Sequence, residues 1–397
     1  MGEGREHTCW GMSPPELTLQ LHRAIAEIPA AEWDACAGPD NPFVSHAFLS
    51  VLEESGSTSP RTGWLPQHLA LRDGAGRLLG VAPAYAKSHS YGEYVFDHGW
   101  ADAFERAGGQ YYPKLQVAVP FSPVPGPRLL LHPERGLPPA ALAQAMAQVT
   151  QQLGFSSAHV TFCTEAEWQA LGEAGWLQRI GMQFHWHNDG YASFEDFLAA
   201  LSSRKRKQLR RERRDAQSAG LTFRTLRGAA ITPRHWAAFH RFYRDTVDRK
   251  WGSAYLTERF WPLLAERLGE RVVLMVAEQA GEPVAGALNL VGRDTLYGRN
   301  WGATVEAPFL HFELCYYQAI DFAIAQGLRR VEAGAQGQHK IQRGYLPVAT
   351  YSAHWIEHRG LRRAVADFLA EERPAILAGM EELAAASPFR EDGAAGG

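Results

Sequence analysis

Three β-rich runs and a helix with almost no polar face follow one another in residues 271–326. Arg271–Ala280 (RVVLMVAEQA) is β-branched and apolar, and Gly281-Glu282 turns the chain. Pro283–Gly292 (PVAGALNLVG) returns, Arg293-Asp294 turns again, and Thr295–Trp301 (TLYGRNW) runs back. Short polar turns between such runs predict an antiparallel meander. Leu310–Gln326 (LHFELCYYQAIDFAIAQ) predicts a helix stopped by Gly327. It is apolar nearly all round, so it has to be covered on every side. A sheet and further helices supply that cover, which makes the class mixed α/β. Strands at Leu328–Gly334 (LRRVEAG) and near Thr350–Ile356 (TYSAHWI) follow.

The first half repeats part of this pattern. His68–Arg72, a turn at Asp73–Gly76 and Arg77–Tyr85 form a hairpin about 205 residues before the later one, the spacing of a duplicated unit and not of a solenoid. The expected fold is two α/β units, each a mixed, mainly antiparallel sheet flanked by helices. They run 17–190 and 191–385, with loose tails at 1–16 and 386–397. Ser193-Phe-Glu-Asp196 offers a capping box for the helix that opens the second unit. Two units of this size bury about 70% of their unfolded surface and need no metal or disulfide staple.

Charge is concentrated. The chain carries a net −3, yet Arg204–Arg214 (RKRKQLRRERR) holds eight bases and one acid. Its only large apolar residue is Leu209, so a helix near 203–217 is read as solvated, with Glu212 and Gln208 as an i,i+4 pair. Arg204, Lys205, Lys207, Arg210 and Arg211 are its candidate phosphate ligands, for a small ligand, a lipid surface or RNA. No aromatic residues interleave with them, so stacking on single-stranded bases is not indicated and no DNA partner is expected. The four cysteines have no C-x-x-C spacing and read as reduced thiols. No run of ~18 apolar residues and no apolar leader core is present, so a cytoplasmic protein is expected.

Familiar catalytic motifs are missing: no GxSxG, no GxxxxGK[ST], no HExxH. His354-Trp-Ile-Glu357-His358 fits H-x-x-E-H, but it lies in a strand-like alternation that sets the two histidines ~13 Å apart. No metal site is expected. The helix Leu310–Gln326 holds His311, Glu313 and Asp321 among apolar residues. Burial disfavours a carboxylate's charge, so Glu313 is either a general base or a paired structural acid. Glu313 and Tyr317 share a face. Downstream, VEAGAQGQHKIQRGY presents Gln336, His339, Lys340 and Arg343 among three glycines, with Glu332 on the strand before them. Such a density of donors reads as the lining of a site. In the first half, Asp97, His98, Trp100, Tyr112 and Lys114 sit in aromatic, proline-rich stretches that form either a second cleft wall or a rigid loop.

A meander, a long buried helix and two further strands resemble the layout of GNAT N-acyltransferases, and the duplication resembles tandem GNAT-like domains. The stretches DHGWADAFERAGGQYYPKLQVAVPFSPVPGPR, SSRKRKQLRRERR, RKWGSAYL, LYGRNWGA, LHFELCYYQAIDFAI and VEAGAQGQHKIQRGYLP are similar to a bacterial FemAB-like family of predicted N-acyltransferases, often labelled peptidoglycan biosynthesis/recognition proteins. The resemblance covers most of residues 40–375. It implies acyl transfer from an activated donor to a small amine or peptide acceptor, with no bound cofactor, metal or covalent intermediate. In that scheme strand amides near Arg299–Trp301 polarise the acyl carbonyl, Glu313 or Glu332 takes the amine proton, and Tyr345 or Tyr317 protonates the leaving group. The donor is acyl-CoA, which the small basic area favours, or aminoacyl-tRNA with a cell-wall precursor as acceptor; the competing expectation is a non-catalytic module that binds a polyanion or peptidoglycan through Arg204–Arg214. The R/Q-x-x-G-x-G/A pattern that seats CoA pyrophosphate does not precede Leu310. Gly302–Pro308 stands there instead, and its Glu306 repels phosphate.

Overall fold

The computed structural model describes residues 17–250, 254–334 and 337–390. The leader expected at 1–16, the last seven residues of the tail and the expected site residue Gln336 lie outside them. The strands are β1 (Leu17–His22), β2 (Trp64–Pro66), β3 (His68–Asp73), β4 (Leu78–Ala82), β5 (Ala84–Lys87), β6 (Lys114–Val117), β7 (Leu130–Leu131) and β8 (Ser157–Cys163). Then follow β9 (Leu177–His187), β10 (Thr222–Arg227), β11 (Val272–Gln279), β12 (Glu282–Val291), β13 (Thr295–Ala303), β14 (Arg330–Glu332) and β15 (Leu346–Ile356).

The meander forms as its pattern requires. Ala280 (φ 50°) and Gly281 (φ 80°) make the tight turn between β11 and β12, both in the left-handed region that matches hairpin twist. An eleven-stranded sheet runs β10-β11-β12-β13-β14-β9-β15-β8-β6-β5-β2, and a second sheet runs β1-β3-β4-β7. In the long sheet, β13 with β14 and β6 with β8 are parallel; the other neighbours are antiparallel. The parallel pairs enclose helical crossovers, Pro139–Gln152 in the first half and the run from Leu310 to Ala325 in the second.

The halves exchange strands. β9, from the first half, lies between β14 and β15, and β15, from the second, pairs with β8 of the first. The first hairpin differs from the second: Pro83 breaks it, so β4 enters the small sheet while β5 enters the long one. One apolar core joins Trp33, Phe43 and Phe48 of the first half to Trp236, Phe239 and Trp261 of the second. No helix among the described residues is long and apolar enough to cross a membrane.

Two expectations need correction. Residues 386–390 are not loose: Ser202 N donates to Pro388 O at 2.9 Å, and Arg390 N donates to Ala200 O at 3.0 Å. The helix Ser203–Gln217 is not solvated all round: Leu209, Glu212 and Ala216 are buried. Its inner charges pair with acids and bases distant in sequence, which removes the cost that keeps isolated charges at the surface. The central helix is also not regular. Glu313–Tyr317 forms a π turn, an inserted residue that re-aims the side chains around it.

Candidate functional site

β13 and β14 pair only through Thr295–Arg330, Leu296–Val331 and Tyr297–Glu332. At that point β13 also bulges against β12: Asn289 faces Gly298, but Ala287 faces Trp301. Arg299 and Asn300 are thus set against the single residue Leu288, and a bulge of this kind turns backbone groups off the ladder. Gly298 lets the strands approach closely here: a Cβ would stand 3.2 Å from the Glu332 carbonyl oxygen, a tight contact with backbone.

Glu332 lies at the mouth of this splay and is 4% exposed. Its Oε1 is 3.2 Å from Arg330 Nε and 4.0 Å from His185 Nδ1, while Oε2 is buried without a hydrogen-bond partner. Burial pushes its pKa up to about 7, against the opposing pull of Arg330. His185 is held neutral: burial, with Arg330 adding to it, brings its pKa down to about 3. Gln183 Nε2 donates to Pro123 O at 2.7 Å, so Gln183 Oε1 faces His185 Nε2 at 3.2 Å and takes its proton. That tautomer leaves the Nδ1 lone pair, also unpartnered, aimed at the carboxylate. This neighbouring carboxylate and imidazole therefore each keep one buried acceptor atom, Glu332 Oε2 and His185 Nδ1, without a donor.

The proline-rich stretch of the first half forms the opposite wall. Arg299 Nη2 donates to Phe121 O. Phe121 stacks on Tyr255 at 4.3 Å, with the rings 11° apart. Arg128, fully buried, donates to the carbonyls of Val124 (2.6 Å), Gly126 (3.1 Å), Pro127 (3.1 Å) and Thr161 (3.0 Å). This guanidinium sets the path of the wall. Its partners are backbone atoms, so no residue pattern announced it, and His185 was likewise not assigned a role from sequence.

Beside the splay stands an aromatic group. The rings of Trp301 and His311 are 4.7 Å apart, and those of His311 and His339 are 6.3 Å apart. Tyr316 Oη meets His339 Nε2 at 2.9 Å. Arg343 lies 3.4 Å over the Phe312 ring and pairs with Glu212 at 2.8 Å. Lys340 Nζ donates to Gly334 O at 2.9 Å, and burial lowers its pKa to about 8. Tyr345 precedes Leu346, which pairs with His185, and its buried hydroxyl has no partner.

Other expected residues are engaged elsewhere. Glu313 Oε1 accepts from Gln318 Nε2 (2.7 Å), Arg213 Nη2 (3.2 Å) and Gln217 Nε2 (3.3 Å), and Oε2 accepts from Arg213 Nε (3.3 Å). Asp321 holds the same Arg213 at 2.6 Å. This is the paired acid of the two readings, because the partner comes from a helix 100 residues away. Tyr317 donates its proton to Glu212, so it is not free for a leaving group. Both contacts tie the central helix to the inner face of Ser203–Gln217.

Asp97, Lys114 and Tyr112 gather in a separate buried cluster. Lys114 Nζ donates to Asp97 (2.5 Å), Ser90 (2.7 Å) and Glu93 (2.8 Å), and Tyr112 Oη meets Ser90 Oγ at 2.8 Å. Trp100 packs edge-on against His354 at 5.0 Å. His98 points outward and belongs to neither group. On the basic helix, Arg204 and Lys207 are exposed. Arg210 pairs with Glu195, Arg211 with Asp215, and Lys205 donates to Gln342.

A family model, FemAB-like, described as peptidoglycan biosynthesis/recognition, matches residues 24–391. No curated protein sequence matches the chain. Among solved structures, the C-terminal domain of a putative lysylphosphatidylglycerol synthetase from Agrobacterium fabrum is similar at a TM-score of 0.54 and 10% identity, covering 88% of this chain and 97% of that one. FemX is similar at 0.52 and 12% identity, covering 88% of this chain and 100% of that one. The shared architecture is the tandem GNAT-like fold.

Proposed function

Because the chain belongs to the FemAB-like family, we propose that it is an N-acyltransferase whose centre is the splay between β13 and β14. The observation that carries this reading is the buried pair of acceptors, Glu332 Oε2 and His185 Nδ1, with no donor of their own. An acceptor amine supplies the missing N–H groups. Glu332 takes one proton from the amine as its lone pair attacks the acyl carbon. The bulged backbone at Arg299–Asn300 polarises the acyl oxygen, the role that preorganised donors play in acyl transfer. The new N–C bond forms as the C–S or C–O bond to the leaving group breaks. Of the two tyrosines considered, Tyr345 alone keeps a free hydroxyl for that group. Orientation between the splay and the Arg128-tied wall supplies much of the rate, since it replaces a bimolecular encounter.

An acyl-CoA donor is the favoured form. The outward cations Arg204 and Lys207 support a second reading in which the donor is aminoacyl-tRNA. The test is acyl transfer from short-chain acyl-CoA or aminoacyl-tRNA to amines and amino-bearing peptides, with wild type and Glu332→Gln. Turnover reduced about 100-fold or more in the variant, at unchanged melting temperature, supports the assignment. Equal turnover in the two proteins defeats it.

A further inference from the structure

Where β13 gives way to the central helix there is a cavity of about 480 Å³. Trp301, Val305, Ala307, Phe309, Leu310 and Phe312 form most of its wall. Among the described lining residues, Glu306 is the only Asp, Glu, Lys or Arg. A phosphate here meets a carboxylate and aromatic rings where it needs cations. Trp301 belongs both to this cavity and to the bulged end of β13, which sets the cavity beside the splay.

We propose that this cavity takes the apolar acyl chain of the donor, and that the enzyme selects medium-length chains over acetyl. The proposal rests on the transferase reading and names its substrate class. The cavity size is within the range of small-molecule pockets, and its wall gains by covering methylenes. The donor's polar carrier then extends away from Glu306.

The test uses the full chain with acetyl-, octanoyl- and lauroyl-CoA and with octanoate and laurate as carrier-free probes. Titration calorimetry gives the affinities, and an amine-transfer assay gives turnover. Affinity is expected to tighten about two- to fourfold per added methylene until the cavity is full. Ala307→Trp, which fills the space, weakens lauroyl-CoA binding about tenfold or more and leaves acetyl-CoA within about twofold. Val305→Glu, which charges the wall without filling it, shows the same selectivity and guards against misfolding of the first variant. Affinity independent of chain length, or long-chain binding untouched in both variants, overturns the proposal. Chain-dependent binding without transfer to any amine sinks the transferase reading instead and leaves an apolar-chain site. Transfer of acetyl groups with no chain preference does the opposite.

Discussion

Glu332 Oε1 and His185 Nδ1 stand 4.0 Å apart, both buried, on adjacent strands from opposite halves of the chain. The contact exists because β9 of the first half is inserted next to β14 of the second. A donated strand thus brings half of the candidate site.

The first consequence is kinetic. Glu332 works as a base only when ionised, and burial sets its pKa near 7. The kcat/KM for amine transfer is expected to rise about tenfold per pH unit below 7 and to level off above it. Glu332→Gln should lower the rate and abolish this limb. A full limb remaining in the variant would assign the titration to another group.

Glu313 should behave oppositely. Its carboxylate pairs with Arg213, and Gln217 and Gln318 also donate to it. Glu313→Ala is expected to cost about 2–4 kcal/mol, since it leaves Arg213 with one acid instead of two. Urea unfolding reads that loss, and turnover per folded molecule should stay within a few-fold of wild type. A stable variant with no activity would return Glu313 to the chemistry.

Lys114 is fully buried and holds both Glu93 and Asp97. Against the desolvation that would raise Asp97, Lys114 keeps that carboxyl well below the usual carboxylate range. Lys114→Met strands two buried acids and should cost about 3–5 kcal/mol. A melting temperature unchanged in the variant would show that the cluster carries no stability.

Acid stability follows from buried histidines. Burial brings His159 and His185 down to about 3, and holds His354 well below its usual 6.5. The unfolded chain therefore binds more protons as pH falls from 6.5 towards 3, and each group removes up to about 1.4 kcal/mol per pH unit. Glu93 and Glu332, raised to about 7 from 4.5, act in the reverse sense: their contribution is complete below 4.5 and fades as pH rises through 7. Stability should thus fall gently from pH 6.5 to 4.5 and steeply below 4.5, where the histidines are unopposed. Equilibrium unfolding at stepped pH checks the break, and a uniform slope would contradict it.

Local pattern alone was enough for much of the second half. β11, β12 and β13 follow β-rich runs broken at turn residues, and the helix from Leu310 has the apolar surface of a buried element. Ser193 caps its helix by accepting from Asp196 N, the first half of the expected capping box, while Asp196 accepts from Ala192 N in place of Ser193 N. The meander, the buried helix, the cap and the density of donors around Lys340 depend on neighbours within a few residues, so the order of side chains determined them. What lies far apart along the chain was decided by tertiary structure. Arg213 turned Glu313 from a base into a pillar, and Glu212 claimed the proton of Tyr317. Strand exchange then set His185 beside Glu332, leaving two lone pairs that no local pattern records. Periodicity reports which face of an element avoids water; which charge meets which depends on the packing of those faces across the whole sheet.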